Sequence, residues 1–168
     1  PEDFRSFTLF SAKMMRQPLY FIPCLSGVDS KRLCGVIRRK VKQHGIKLVV
    51  IDYLQKIRGA AKSEKKTYEI AEVSGDLVNC AKQTGAAFLT LAQLGRGNEK
   101  DGDRMPKLTD IADCGQIERD ADTVALLHRS RTDEKVEPVL IIAKQRDGEC
   151  GLVRLSFDGK FCRFGNPV

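Results

Sequence analysis

At 168 residues the chain is about one domain's worth, long enough to bury roughly two thirds of its unfolded surface around one core. Its 29 Lys and Arg against 22 Asp and Glu leave a net charge of +7, an excess that favours polyanionic partners such as nucleic acid or nucleotide phosphates. No apolar run approaches the roughly twenty residues of a membrane span, and the scattered cysteines contain no C-x-x-C pair. Composition therefore argues against a membrane protein, a zinc module and a disulfide scaffold, and for a soluble cytoplasmic protein with free thiols.

The amino-terminal stretch "PEDFRSFTLFSAKMMRQ" spaces Phe4, Phe7, Phe10 and Met14 by three or four, which predicts an amphipathic helix. "LYFI", Leu19 to Ile22, reads as a short strand. Asp29 or Ser30 then caps a helix with Leu33, Ile37 and Val41 on one face, and Gly45 ends it. "KLVVIDYL" is the next strand. After a lysine-rich connection, Ile70, Val73, Leu77, Cys80, Ala81 and Thr84 mark a second helix ending at Gly85, followed directly by the apolar run "AAFLTLAQL". Apolar runs without alternation predict strands buried on both faces, as in a parallel sheet flanked by helices.

The second half opens on "GRGNEKDGDRMPK", a long loop rich in glycine and charge, of a kind that is usually functional or mobile. "TDIADCGQIERDAD" reads as a short helical or looped segment, and "TVALLH", "PVLIIAK" and "LVRLSFDGKFCRF" as strands. Asp158-Gly159 predicts a two-residue hairpin turn, so the sheet gains antiparallel strands at its carboxyl end. The expected fold is a single α/β domain over residues 1–168.

A hydrophobic strand that ends on an acid at the rim of a parallel sheet is where open α/β folds bind ligands. In phosphate-loop nucleotide hydrolases such an aspartate holds Mg²⁺, which bridges the phosphates of the triphosphate. Asp52 stands at that position, although an Asp after four aliphatics serves equally as a helix cap. Gln93, at the end of "FLTLAQLGR", would lie near it on the same rim, where an amide can hydrogen-bond a γ-phosphate or its attacking water. A polar loop entry with no ligand is the simpler reading of Gln93.

The segments "VVIDYLQ", "YEIAEVSGDLVNCAKQTGAAFLTLAQLGR", "TDIADCGQIERDAD", "IIAKQRDGECGLVRLSF" and "KFCRF" together resemble, in order, the carboxyl-terminal motor domain of DnaB-type hexameric replicative helicases, a RecA-like ATPase fold. The resemblance implies ATP and Mg²⁺ as cofactors, with Asp52 as the Walker B residue for the metal and Gln93 as the sensor between γ-phosphate and DNA. It implies that Lys144 and Arg146 of "AKQRDG" reach across a subunit interface to a neighbour's nucleotide. From the residues alone, a strand ending in "KQR" reads as a solvated edge. It further implies that Asp113 and Gly115 lie on the loop that follows the backbone of single-stranded DNA, with Arg96 and Arg104 of the long loop as further channel-facing residues. The implied partners are single-stranded DNA, other copies of the chain in a ring such as a hexamer, and a primase or a helicase loader.

The sequence departs from the family pattern in two places. Ala112 stands where a basic DNA-contacting residue is expected, and no G-x-x-x-x-G-K-[ST] occurs anywhere in the chain. The family's Walker A loop, and the glutamate that activates water, are expected upstream of Pro1, leaving this chain half of an ATP site. Two other classes stay open at this point: a RecA-like recombinase or regulatory ATPase, and a degenerate copy that keeps the fold to bind DNA or a partner.

Overall fold

In a computed structural model, residues 2–23, 27–59, 66–95, 104–111, 114–130 and 136–167 are described. The amino-terminal helix α1 runs Glu2–Met15, as its spacing predicts. Its phenylalanines are nevertheless exposed, Phe4 at 77% and Phe7 at 66%, so its apolar face has no partner among the described residues. "LYFI" forms no ladder. Pro18 and Pro23 flank it without N–H groups to donate, and a segment that short is a strand only by pairing. Ile22 packs instead against the main core.

Helix α2 spans Ser30–His44. The Asp29 carboxylate accepts from the Arg32 N–H, and Gly45, at φ 64°, closes the helix in the left-handed region where a side chain is costly. Strand β1, Leu48–Ile51, follows, then a 3-10 turn at Leu54–Lys56 and helix α3, Lys66–Thr84. Strand β2, Ala87–Thr90, pairs parallel with β1, Leu48 opposite Ala87 and Ile51 opposite Thr90. Leu33, Cys34 and Ile37 of α2 and Ile70, Val73, Leu77 and Cys80 of α3 form the main core with Ile51, Leu54 and Ile57, and Val49 and Phe88 pack against it. Burial, reinforced by the adjacent Cys80, pushes the Cys34 thiol up to about 12. A thiol held that high stays protonated at neutral pH and packs as an apolar group rather than acting as a nucleophile.

The two-sided burial expected of these strands is met on one face only. Val49 and Phe88 turn inward, while Leu48, Val50, Leu89 and Leu91 stay exposed on the other side. Continuous apolar runs reported that the sheet has two apolar faces; what covers the second is not among the described residues.

Beyond β2 come a 3-10 turn at Leu108–Asp110 and a short helix α4, Cys114–Asp120. Strands β3, Thr123–His128, β4, Val139–Gln145, and β5, Gly151–Arg154, form an antiparallel sheet, so the carboxyl half is antiparallel as expected, but among the described residues these strands make a sheet of their own rather than extending the parallel pair. A second core gathers Ile111, Val124 and Leu126 with Leu94, Ile141 and Ala143, and Ile117 of α4 packs against both cores. Strands β6, Ser156–Asp158, and β7, Arg163–Gly165, make the terminal hairpin. Its turn is wider than Asp-Gly predicts. Asp158 pairs with Arg163, so Gly159 to Cys162 all lie in the turn. The Asp158 carboxylate accepts from the Lys160 N–H, and Phe157 meets Phe164 at 4.8 Å, fixing that register.

Candidate nucleotide and interface site

Because β1 and β2 are parallel and in register, their carboxyl ends share one rim. Asp52 is the first residue past β1. The main chains stay interlocked beyond the strands: Leu91 N–H donates to Ile51 O and Leu54 N–H to Leu91 O, both at 2.9 Å. Asp52, Tyr53, Leu91, Ala92 and Gln93 consequently line one open pocket of about 260 Å³. The structure thus brings Asp52 and Gln93 together, both exposed.

Gln93 is held by a residue whose role was not legible from the motif. The Gln55 side chain accepts from the Gln93 N–H and donates to the Gln93 carbonyl, each at 3.2 Å, so one amide brackets both main-chain groups as a strand neighbour would. The only sequence signal was an amide just past the acid, in "IDYLQ". Replacing Gln55 with alanine removes two hydrogen bonds worth about 0.5–1.5 kcal/mol each. Hydrogen exchange at the Gln93 amide is expected to accelerate about tenfold, while the α2 and α3 amides keep their protection. Equal acceleration throughout would show a global loss of stability instead.

Mg²⁺ fits the pocket by the chemistry of its donors. Among the described residues no group of three or more His, Cys, Asp or Glu side chains could hold a metal. Mg²⁺ does not need such a cage, since it keeps several waters and takes one or two carboxylates plus substrate phosphates. The single carboxylate of Asp52, at the open rim, matches that demand.

From Gln93 the chain leads toward the segment before α4. Leu94 forms an antiparallel bridge with Ile111, and Gly95 N–H donates to Asp110 O at 2.7 Å. The Asp110 carboxylate is gripped by both arms of Arg104, at 2.7 and 2.8 Å, and accepts from the Lys107 N–H at 2.7 Å. Hydrogen bonds from Arg104, then from the Lys107 backbone, hold the Asp110 carboxyl down at about 2. The folded pKa lies below the ordinary 3.8, so the pair's contribution is complete above that value and is lost as pH falls through about 2. Arg104, expected in a DNA channel, is thus committed to bracing Asp110 in this structure. Arg96 and Asp113, like Ala112, lie outside the described residues. Gly115 sits in the first turn of α4.

Lys144 and Arg146 both turn toward the far end of that helix. Val124 pairs with Lys144 but Ala125 with Ile142, so Ala143 is an extra residue in β4. Such a bulge re-aims the side chains beside it. Ala143 packs on the second core, and the Lys144 ammonium still reaches α4, donating to Glu118 O at 2.5 Å and Ala121 O at 2.7 Å. These are carbonyls at a helix carboxyl end, where a cation is favoured. Arg146, just past β4, forms an ion pair with Asp122, and its N–H donates to Asp122 O at 2.9 Å. Asp120 ties the same helix to α3 by accepting from Ser74 at 2.6 Å.

The family model described as the DnaB-like helicase C terminal domain matches residues 1–166. The chain is 36% identical over 174 residues to the replicative DNA helicase DnaB of Leifsonia xyli subsp. xyli, covering 98% of this chain and 37% of that protein. It is 37% identical over 152 residues to the replicative DNA helicase DnaB of Haemophilus influenzae, covering 87% of this chain and 32% of that protein. The chain therefore spans about a third of the length of these curated relatives. Among solved structures, one described as an "ATPase Domain" superimposes with a TM-score of 0.90 at 28% identity, covering all of this chain (100%) and 61% of that one. "The Structure Of A DnaB-Like Replicative Helicase And Its Interactions With Primase" superimposes with a TM-score of 0.88 at 28% identity, covering 100% of this chain and 42% of that one.

Proposed function

Because the chain belongs to the DnaB-like helicase C-terminal domain family, we propose that it forms part of an ATP-dependent replicative helicase motor that works in the cytoplasm as a ring, such as a hexamer. The motor hydrolyses ATP between subunits, moves along single-stranded DNA and separates the duplex. A phosphate-cradling loop, which these 168 residues do not contain, completes the nucleotide site.

The observation that carries the reading is the shared pocket of Asp52 and Gln93 together with the main-chain path from Gln93 through the Leu94–Ile111 bridge toward α4. Asp52 would hold Mg²⁺, which when bound would supply positive charge to offset that of the phosphates. Gln93 hydrogen-bonds the γ-phosphate or its water, and Gln55 keeps its backbone in place. Loss of the phosphate is thereby reported along Leu94 and Ile111 to the segment that leads into α4. There Gly115, with Asp113, lets main-chain N–H groups approach the DNA backbone without reading bases, and Arg96 adds charge from the long loop. Lys144 and Arg146 face the neighbouring subunit's phosphates, the guanidinium fork stabilising charge in the transition state. A primase or a loader is the expected protein partner.

The test is strand displacement by the full-length protein on a forked duplex. ATP-dependent unwinding that requires a single-stranded tail, with binding that weakens steeply as salt rises, is the expected result. ATP turnover with no strand separation would instead favour a recombinase or regulatory ATPase.

A further inference from the structure

Both cations assigned to the neighbour's nucleotide are already engaged within their own subunit, and on one short stretch. Lys144 donates to Glu118 O and Ala121 O, and Arg146 pairs with the carboxylate of Asp122. These acceptors form the foot of α4, the helix whose first turn carries Gly115. The arrangement is built into the sheet. The bulge at Ala143 directs Lys144, while the Thr123 hydroxyl bond to Gln145 at 2.6 Å and the main-chain bond from Arg146 to Asp122 pin the end of β4 to the start of β3.

The two cations are held differently. The Lys144 ammonium has two carbonyl acceptors and is partly buried. The Arg146 side chain is 55% exposed and that of Asp122 74%, so their ion pair is screened by water and is worth no more than about fivefold in an equilibrium. A contact that weak keeps a guanidinium aimed and holds it back from a triphosphate by no more than about that same fivefold, since the triphosphate offers more negative charge and a matching set of oxygens.

We infer that Asp122 is a positioning residue for Arg146: it parks the guanidinium at the foot of α4 until a neighbouring subunit's phosphates take it. The inference rests on the interface role proposed above for Arg146. Asp122 lies two residues past α4, so movement of α4 when the segment proposed above to meet DNA takes its ligand re-aims the Asp122 carboxylate and frees the Arg146 guanidinium, while the main-chain bond between the two residues stays. DNA stimulation of ATP turnover then comes partly from removing a competing carboxylate.

The experiment compares ATP turnover by the full-length protein with and without single-stranded DNA. Asp122→Asn keeps the main-chain acceptor and nearly the same shape while removing the charge. Turnover without DNA is expected to rise about two- to fivefold, turnover with saturating DNA to stay within about twofold, and Asp122→Glu to restore the low DNA-free rate. In an Arg146→Ala background, Asp122→Asn is expected to change nothing. If Asp122→Asn leaves the DNA-free rate unchanged, or lowers both rates together, the parking role is overturned. If Arg146→Ala alone retains DNA-stimulated turnover, the interface role itself falls, so the two failures are distinguishable.

Discussion

Arg146→Ala in the full-length protein is expected to lower DNA-stimulated ATP turnover by about a thousandfold or more, some 4 kcal/mol of transition-state stabilisation, while nucleotide affinity stays within about threefold. An arginine supplied to phosphoryl transfer acts on charge that develops only in the transition state, so its loss falls on kcat rather than on ground-state binding. Its position fits this role, just beyond a strand end, with an exposed side chain held by a single carboxylate. Arg146→Lys is expected to recover little of the lost rate, because an ammonium is a point charge without the planar fork that spans two phosphate oxygens. Steady-state turnover beside titration with a fluorescent nucleotide separates the two quantities. An equal loss of affinity and rate would make Arg146 a binding residue.

Asp52→Asn is expected to lower turnover about a hundredfold or more and to raise the Mg²⁺ concentration needed for half-maximal rate. The substitution is nearly isosteric and the position is exposed at the end of β1, so the core formed by Ile51 and Leu54 is left intact. The loss therefore falls on the metal. An Asn oxygen still accepts a hydrogen bond from metal-bound water but lacks the charge that offsets the divalent ion. A Mg²⁺ titration of turnover, with thermal unfolding of the same variant alongside, checks this. An unchanged Mg²⁺ dependence would remove Asp52 from the metal site.

The elements most legible in the sequence were those specified by local physics. The spacing of Leu33 and Ile37, the Asp29 cap and the left-handed Gly45 delimited α2, and Val73, Leu77 and Cys80 did the same for α3. Asp52 and Gln93 could be placed on one rim because parallel strands put their carboxyl ends side by side. Relations between distant segments were not legible. The Gln55 bracket around the Gln93 backbone depends on two loops meeting, and no local pattern encodes that. The bulge at Ala143 is a mismatch between strands, invisible in either strand alone, yet it helps aim Lys144 at α4. The two-armed grip of Arg104 on Asp110, six residues on, depends on the turn at Leu108–Asp110 bringing the two together, which spacing alone does not encode. The hairpin turn was misjudged in width because Phe157 and Phe164, rather than Asp-Gly, set the register.

Everything proposed for Lys144 and Arg146 depends on a nucleotide site shared between two subunits, one supplying Asp52 and the next supplying Arg146. Mixing full-length Asp52→Asn with full-length Arg146→Ala, each inactive alone, tests this most directly. In a randomly mixed ring about one interface in four combines an intact Asp52 with an intact Arg146 across a head-to-tail contact, so ATP turnover should reappear at up to about a quarter of the wild-type rate. A mixture as inactive as its separate components, in rings shown to exchange subunits, would contradict the shared site.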